Sequence, residues 1–386
     1  MAGHLIHFLS AMKTLRNPLA LFLLVLWSSS MAASTEFFVY VGTYTRSNSR
    51  GIYVYRFDSG SGKLSPLGLA AEASNASFLA VHPGNQFLYA VNEDPVGSLT
   101  SFVIDKSNGK LRRINTVSSR GGGPCHLVLD ETGKWLFVAN YNNGSVASFP
   151  VRSDGSLGEA AGFVQHSGSS VHPQRQAGPH AHSVTLSPDN RFLIVTDLGL
   201  DQILVYRFDP KSGGLTPNNP AITKVDAGSG PRHFTFAPDG EKAWVLNEMT
   251  ATITTLKYDK ATGVLTPIQT TSTLPSQFAG ARSAAEIAVH PNGRFLYTSN
   301  RGHDTIAIFS IDPGTGLIRP GKWVSTRGRT PRNFAIDPSA TFLFAANQDS
   351  NSLAVFRLDP KAGGLETLGD VVETPIPVSV VFAAAD

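Results

Sequence analysis

The chain has 386 residues, of which only 16% are charged, and it contains 36 glycines and 24 prolines. Because glycine and proline favour turns, this composition predicts many short elements and argues against long helices. The net charge of +3 comes without a long basic run, which argues against a nucleic-acid-binding protein. A single cysteine excludes an intramolecular disulfide framework and a cysteine-rich zinc site.

The N-terminus has the pattern of a secretory signal peptide. Two basic residues precede nine apolar residues, Leu19 to Trp27, and small residues follow as far as Ala33. This succession is typical of exported proteins, and nine apolar residues are too few for a permanent membrane span. We therefore predict a signal peptide over residues 1–33, with Met12 as an alternative start. The mature protein, residues 34–386, is expected in the periplasm or outside the cell.

The remainder of the chain repeats one unit of roughly 50 residues. Clear copies are VHPGNQFLYAVN at 81–92, LSPDNRFLIVTD at 186–197, VHPNGRFLYTSN at 289–300 and IDPSATFLFAAN at 336–347. The copies end on Asn or Asp at positions 92, 140, 197, 247, 300 and 347, at intervals of 48, 57, 50, 53 and 47 residues. Each unit holds four short β-branched or aromatic runs between turn residues, which is typical of a propeller blade.

The two ends of the repeat region determine the number of blades. Phe37 to Thr45 matches a second strand, so the first blade lacks its first strand at the N-terminus. Thr374 to Phe382 matches a first strand that nothing follows. We therefore predict an all-β fold, a single seven-bladed β-propeller with four-stranded antiparallel blades. The C-terminal strand is expected to close the ring by pairing with the N-terminal blade, which leaves no open sheet edge.

Meander topology sorts the loops of such a propeller onto two faces. One face carries tight turns such as HPGN and HPNG, and we interpret His82 and His290 there as structural. The opposite face carries the second-to-third loops and the crossings between blades, where charged and imidazole side chains accumulate around the channel mouth. Alignment of the blades places Cys125, His182, Arg232 and Arg332 at one level, and His126, His233, Glu286 and Asn333 at the next.

The motifs GPHAH, GPRHF, SAAEI with NRGHD, and TPRNF with NQDSN occur in this order, one set per blade. Together they resemble the seven-bladed lactonase family, which includes propeller-type 6-phosphogluconolactonases and the fungal carboxymuconate cyclase. The resemblance extends from Tyr40 to Phe382 and implies lactone chemistry without a metal or other cofactor. It also implies a catalytic cluster of a histidine, two arginines and a glutamate. These fall on His180 or His182, Arg232, Glu248, and Arg282 or Arg301.

The side chains suggest complementary roles in lactone hydrolysis. A histidine or Glu248 can deprotonate water, but a carboxylate ionised beside Arg232 suits an orienting role better, which favours the histidine as the base. Arginines suit a developing oxyanion, and Arg282, Arg301 and Arg332 are expected to hold an anionic substituent. Further substrate-binding candidates are His126, His233, Glu286 and Gln348. We expect a monomeric carboxylic ester hydrolase that opens a phosphorylated or unphosphorylated aldonolactone.

Several alternatives stay open. The same face could belong to a carboxymuconate-type cycloisomerase or to a non-catalytic ligand-binding propeller of the cell envelope. Zinc held by His180, His182 and another imidazole, calcium held by the strand-end asparagines, and Cys125 as a nucleophile are further possibilities. An export signal counts against the phosphorylated lactone, because that compound is cytoplasmic.

Overall fold

A computed structural model of the chain describes residues 35–386, so the predicted signal peptide lies outside the described residues. The described part consists of 28 strands and one short 3-10 helix, Gln348–Ser350. The strands form seven four-stranded antiparallel sheets, which confirms the predicted seven-bladed propeller. Among the helices of this part of the chain, none is long and apolar enough to cross a membrane.

The blades follow one another along the chain. The first contains β1 (Glu36–Thr43), β2 (Gly51–Asp58), β3 (Lys63–Glu72) and the last strand of the chain, β28 (Pro377–Ala384). The second contains β4 (Leu79–Val81), β5 (Phe87–Asn92), β6 (Ser98–Ile104) and β7 (Leu111–Ser118), and the third β8 (Pro124–Leu129), β9 (Trp135–Asn140), β10 (Ser145–Pro150) and β11 (Gly162–Gln165). The fourth contains β12 (Ala181–Leu186), β13 (Phe192–Asp197), β14 (Gln202–Phe208) and β15 (Leu215–Lys224), and the fifth β16 (Pro231–Phe236), β17 (Lys242–Asn247), β18 (Thr252–Asp259) and β19 (Val264–Ser272). The sixth contains β20 (Ala284–Val289), β21 (Phe295–Asn300), β22 (Thr305–Ile311) and β23 (Ile318–Ser325), and the seventh β24 (Pro331–Ile336), β25 (Phe342–Asn347), β26 (Ser352–Leu358) and β27 (Leu365–Glu373).

The ring closes through β28, as the orphan strand at the C-terminus predicts. β28 pairs antiparallel with β1, and Phe37 lies opposite Ala384 in that pairing. The backbone N–H of Leu79, in the neighbouring blade, donates to Ser379 Oγ at 3.1 Å. The closing strand therefore completes the first blade and also binds the innermost strand of the second.

Neighbouring blades interlock through a glycine of the third-to-fourth turn. These glycines have φ between 70° and 82°, and each lies against the residue near the start of the second strand in the preceding blade. The pairs are Gly109 on Phe38, Gly155 on Phe87, Gly213 on Trp135, Gly263 on Phe192, Gly316 on Lys242, Gly363 on Phe295 and Gly62 on Phe342. A side chain would strain this backbone and collide with the neighbouring blade, so the turn requires glycine. The last pair joins the seventh blade to the first.

The two histidines of the turn face have structural roles, as their sequence context indicates. Each Nδ1 accepts a hydrogen bond from a backbone N–H of its own turn, so each Nε2 carries the proton. His82 Nε2 donates to Gly133 O at 3.2 Å, and His290 Nε2 donates to Ala340 O at 3.1 Å. Both bonds connect the turn of one blade with the turn of the next.

Candidate active site

A recurring β-bulge fixes which side chains of the innermost strands line the channel. In the third blade Pro124 pairs with Asn140 and His126 with Ala139, so Cys125 is an extra residue between them. A bulge interrupts the alternation of side chains and can redirect one of them. The same offset occurs at His182, Arg232 and Arg332 in the fourth, fifth and seventh blades. The register therefore puts these four residues at one level, as the sequence alignment predicts.

A second ring of side chains follows the second strand of each blade. The strand-end Asn140 is anchored inside its blade, where its Nδ2 donates to Ser119 O at 3.0 Å and to Ser145 Oγ at 3.1 Å. The next residue, Tyr141, lines the channel mouth. Equivalent positions in the seven blades are Tyr44, Glu93, Tyr141, Leu198, Glu248, Arg301 and Gln348. This ring contributes Glu93, Tyr141, Glu248 and Arg301 to the same cavity.

The two rings enclose a cavity of about 250 Å³ at the channel mouth. It is lined by Glu93, Cys125, Tyr141, Arg175, His182, Glu248, Arg301 and Arg332. A larger cleft of about 710 Å³ opens between the fifth and sixth blades, beside Lys242, but neither histidine nor arginine lines it. Lysines and carboxylates line the larger cleft, whereas the cavity at the channel mouth combines imidazole, guanidinium and carboxylate groups.

Glu248 is the centre of the charged network in this cavity. Its Oε2 lies 3.1 Å from Arg232 Nε and 2.9 Å from Arg301 Nη2, and its Oε1 lies 2.7 Å from Arg175 Nη2. Burial alone would raise the pKa of this carboxyl, but the three guanidinium groups together hold the pKa of Glu248 well below its ordinary value. Glu248 is therefore ionised at neutral pH, which suits electrostatic and orienting roles.

Arg232 is buried and contacts the cavity through Glu248, so the expected contact between these two residues is present. Its Nη1 donates to Ala285 O and to His233 Nε2, the latter at 3.0 Å. Burial, with Arg301 and further cations nearby, lowers the pKa of Arg232 to about 10. The guanidinium is thus still charged at neutral pH and is fixed on several sides.

The buried imidazoles of His126, His182 and His233 are neutral at neutral pH. His182 Nε2 lies 4.0 Å from Glu248 Oε2, and His182 Nδ1 lies 3.9 Å from Cys125 Sγ. Burial, reinforced by neighbouring cations, lowers the pKa of His182 well below its ordinary value. Burial is also the largest cause that lowers the pKa of His126 and of His233. His182 is the one of these three that lines the cavity, and its neutral ring can accept a proton there.

A layer of polar side chains supports the site without lining the cavity. His233 Nδ1 lies 2.7 Å from Glu286 Oε1, and Asn333 Nδ2 donates to Glu286 Oε2 at 2.6 Å. The ring of His126 contacts that of His233, with centroids 5.1 Å apart. Burial raises the pKa of Glu286. His126, His233 and Glu286, which the sequence suggests as substrate-binding residues, are placed behind the cavity wall, where His233 contacts Arg232.

Three other candidates also lie outside the cavity lining. His180 is half-buried, its Nδ1 lies 2.8 Å from Tyr141 O, and its ring stacks on that of Tyr141 at 4.4 Å. Arg282 is exposed. Gln348 Nε2 donates to Asp349 Oδ1 at 2.8 Å. The structure thus brings His182, Glu248, Arg301 and Arg332 together in the cavity, with Arg232 bound to Glu248.

Two charged cavity residues are absent from the sequence-based candidates. Glu93 accepts a hydrogen bond from Tyr44 OH at 2.9 Å, and it follows Asn92 as Glu248 follows Asn247, so the strand-end rule could have found it. Arg175 belongs to the crossing between β11 and β12, where the repeat interval is longest, at 57 residues. That length indicates an insertion but does not show where a side chain reaches.

Arg332 is the cavity arginine without an acidic partner. Its guanidinium lies over the ring of Tyr44, 5.4 Å from the centroid, a cation–π contact. Within residues 35–386 no carboxylate oxygen lies within 4.0 Å of it, whereas Arg175, Arg232 and Arg301 all contact Glu248. Arg332 is therefore available to an anionic group of a ligand.

The described geometry does not favour zinc binding or thiol catalysis. Among residues 35–386 no group of three or more His, Cys, Asp or Glu side chains is arranged to hold a metal ion. The strand-end asparagines are anchored within their blades through Nδ2; Asn247 Nδ2, for example, donates to Thr252 Oγ1 and Thr254 Oγ1. The buried Oδ1 atoms of Asn140, Asn247 and Asn347 have no hydrogen-bond partner among the described residues. Burial raises the pKa of the Cys125 thiol, which keeps it protonated and weakly nucleophilic.

Comparison with known proteins points to one family. The family model described as lactonase, seven-bladed β-propeller, matches residues 38–382. A 6-phosphogluconolactonase of Bacillus subtilis is 35% identical over 349 residues, which cover 90% of this chain and 99% of the relative. The solved periplasmic gluconolactonase of Pseudomonas aeruginosa superposes with a TM-score of 0.85 at 37% identity, covering 91% of this chain and 100% of the other. A putative 6-phosphogluconolactonase from Bacteroides fragilis gives 0.85 at 35% identity, covering 90% and 98%.

Proposed function

Because the chain belongs to the seven-bladed β-propeller lactonase family, we propose that it is an enzyme that hydrolyses a sugar lactone at its channel mouth. The observation that carries the proposal is the cavity in which neutral His182 lies beside ionised Glu248, with three arginines in the wall. A base, a fixed negative charge and several cations are the groups that ester hydrolysis requires. The site is complete within one chain, which is consistent with a monomeric enzyme.

In the proposed reaction His182 acts as the base. Its neutral imidazole takes a proton from water while the water oxygen attacks the lactone carbonyl carbon. The imidazolium that forms is stabilised by Glu248, whose Oε2 lies 4.0 Å from His182 Nε2. The proton then passes to the ring oxygen as the carbon–oxygen bond of the lactone breaks and the open hydroxy acid forms.

Arginines provide the electrostatic part of the proposed reaction. The carbonyl oxygen gains negative charge as water attacks, and N–H donors fixed in advance stabilise that charge. Arg301 lines the cavity and is held there by Ala284 O at 3.1 Å and by Glu248. It is therefore the best-placed donor to the oxyanion, and Arg332 is left for a substituent of the substrate.

The charge of the cavity supports a substrate that carries acceptor oxygens. Three arginines and two glutamates line it, which leaves an excess of one positive charge. We propose an aldonolactone, either phosphorylated or unphosphorylated, because phosphate, carboxylate and hydroxyl groups all suit arginine donors. The relatives named above include a 6-phosphogluconolactonase and a periplasmic gluconolactonase.

We also propose that the protein is exported, on the basis of the predicted signal peptide. Mass spectrometry of natively expressed protein should find an N-terminus between Ala32 and Glu36. An intact Met1 or Met12 on cytosolic protein would contradict export and would favour the phosphorylated substrate.

The decisive experiment is a lactone panel assayed by acid release. It includes glucono-1,5-lactone, 6-phosphoglucono-1,5-lactone and a muconolactone, each with and without a chelator. We expect release of acid from at least one gluconolactone above the spontaneous rate, unaffected by chelation and abolished in Glu248→Ala. Reaction with the muconolactone alone would favour the cycloisomerase, and binding without turnover would favour a ligand-binding propeller.

A further inference from the structure

The crossing between β11 and β12, residues 166–180, forms a strap beside the cavity. One buried carboxylate fixes both of its ends. Asp197 Oδ2 lies 2.6 Å from His166 Nδ1, and Asp197 Oδ1 accepts the backbone N–H of His180 at 2.7 Å. Asp197 and His166 are almost fully buried. The corresponding strand-end residue is asparagine in five of the other six blades and threonine in the first, so this carboxylate is particular to the blade that carries the strap.

The middle of the strap is ordered by hydrogen bonds of its own. Gln176 is fully buried, its Nε2 donates to Leu198 O at 2.9 Å, and its Oε1 accepts the backbone N–H of His172 at 3.1 Å. His172 Nδ1 in turn accepts the backbone N–H of Arg175 at 3.1 Å. The backbone of Arg175 is therefore positioned before any ligand arrives, which lowers the entropic cost of binding.

The guanidinium of Arg175 is only partly used within the protein. Its side chain is 43% exposed, and Nη2 makes both of its contacts, to Glu248 Oε1 at 2.7 Å and to Tyr141 OH at 3.3 Å. No acceptor in the described part of the chain is bonded to its Nε or Nη1. By contrast, Arg232 is buried and bonded through Nε and Nη1. Arg175 thus presents unused donors at the open side of the cavity.

We propose that Arg175 is a specificity-determining residue, whose free N–H groups bind an anionic substituent of a lactone ring held in the cavity. The inference rests on the proposed function, because it assumes that the ring lies beside Glu248 and His182. A planar guanidinium that keeps several donors free matches the oxygens of a phosphate or a carboxylate. The contact with Glu248 holds the guanidinium in place while the free donors face the substrate.

The test compares Arg175→Gln with the unmodified enzyme on lactones that differ in charge. Glucono-1,5-lactone is neutral, 6-phosphoglucono-1,5-lactone carries a phosphate, and a glucarolactone carries a carboxylate. Loss of a charge-assisted hydrogen bond should raise KM for the preferred anionic lactone at least about tenfold, with KM for the neutral lactone almost unchanged. The two anionic substrates distinguish a phosphate site from a carboxylate site.

Two further variants distinguish binding of the substrate by Arg175 from the positioning of Arg175 by the strap. Arg327→Gln removes another exposed arginine, which contacts Gly369 O and Asp370, and should leave all kinetic constants unchanged. His172→Ala keeps the guanidinium but removes the acceptor of the Arg175 N–H, so it should raise the same KM by a smaller factor than Arg175→Gln. Such a graded effect is expected only if the strap positions Arg175 for the substrate.

Equal losses on neutral and anionic lactones would overturn the inference, because Arg175 would then act only on Glu248. Unchanged kinetics in Arg175→Gln would overturn it as well. If no lactone is hydrolysed, the proposed function fails separately. Calorimetric titration with 6-phosphogluconate then decides the inference: weaker binding to Arg175→Gln supports it, and equal or absent binding to both proteins refutes it.

Discussion

The two faces of the propeller use charged residues in opposite ways. On the turn face each third-to-fourth turn of six blades begins with an aspartate that accepts hydrogen bonds from its own turn. These residues are Asp58, Asp105, Asp209, Asp259, Asp312 and Asp359. The opposite face, which contains the channel mouth, is called the mouth face below. There Glu248 forms salt bridges with Arg175, Arg232 and Arg301, which come from different parts of the ring.

The difference shows how structural and functional residues can be told apart in a repeat protein. A carboxylate that recurs in blade after blade and is satisfied by its own turn serves the fold. A carboxylate that occurs in a few blades and is satisfied by arginines from other segments, at a cost in desolvation, serves the site. Glu248 is of the second kind, because three arginines bind it and the ring position that it occupies holds a different residue type in most other blades.

The largest effect is expected from opening the ring of blades, because both faces depend on the closed propeller. Deleting Pro375 to Asp386 removes β28, in which Val378 and Val380 are buried. Each buried aliphatic side chain contributes about 1.5–3 kcal/mol, against a total stability of about 5–15 kcal/mol. We expect loss of cooperative folding by circular dichroism and thermal melting. A truncated protein with unchanged melting would contradict the closure mechanism.

Substitutions in the salt bridge between Arg232 and Glu248 test the catalytic role of the mouth face without changing the turn face. Arg232→Ala and Glu248→Ala should each lower kcat/KM at least about 100-fold, equivalent to about 2.7 kcal/mol of transition-state stabilisation. Because removal of one partner leaves the other charge buried and unpaired, Glu248→Gln serves as the isosteric control for folding. Circular dichroism should show an intact propeller. Full activity in these variants would make Glu248 a structural residue like the aspartates of the turns.

Arg332→Ala should affect binding more than chemistry. Arg332 has no acidic partner within the described residues and rests on the ring of Tyr44. Its loss should raise KM for an anionic lactone by about tenfold, the value of one charge-assisted hydrogen bond, with little change in kcat. Steady-state kinetics on a charged and a neutral lactone measure the effect. A fall in kcat on both substrates would instead assign Arg332 to the oxyanion.

The pH profile tests the neutral state of the proposed base. Burial, with Arg232, His233 and Arg332 nearby, lowers the pKa of His182, while Glu248 faces it from the other side. A lowered pKa keeps the base neutral to lower pH, so kcat/KM should decline only below the ordinary histidine value of about 6.5. Arg332→Ala removes one of the lowering charges and should shift the decline to higher pH. A decline centred at or above the ordinary value would exclude His182 as the base.

The smallest effect is expected on the turn face. Asp259 accepts hydrogen bonds from Ala261 N at 2.8 Å and Thr262 Oγ1 at 2.7 Å, both in its own turn. Asp259→Ala should lower Tm by no more than about 2–4 °C and leave kcat/KM unchanged. Differential scanning calorimetry and the lactone assay measure both quantities. Reduced activity would show that the two faces are coupled, and the distinction between them would fail.

Much of the fold can be predicted from the sequence because the repeat is regular. The strand-end asparagines fixed the blade spacing, and the unmatched strands at Phe37 and Thr374 gave both the blade count and the closure. The contact between Arg232 and Glu248 was also predictable, because their loops open on the same face. These conclusions depend on topology and period, which sequence patterns preserve.

The rest of the site depends on how far individual side chains reach. The sequence motifs leave Arg282 and Arg301 as alternatives for the second arginine of the catalytic cluster. In the structure Arg301 lies 2.9 Å from Glu248, whereas Arg282 is exposed. The bulge sends Arg232 toward the cavity but puts the next residue, His233, in the layer behind it. Arg175 lies in an insertion without a counterpart in other blades, so no repeat rule could predict its position.

The pairing of β28 with β1 also sets the order in which the molecule is completed during synthesis. Phe37 pairs with Ala384, which lies about 350 residues further along the chain and is synthesised later. At a translation rate of about 5–20 residues per second, β1 leaves the ribosome roughly 20–70 s before its partner strand is made. Six blades can form their meanders locally as the nascent chain emerges, whereas the first blade keeps an open edge throughout. Closure of the ring therefore has to follow the synthesis of the other six blades.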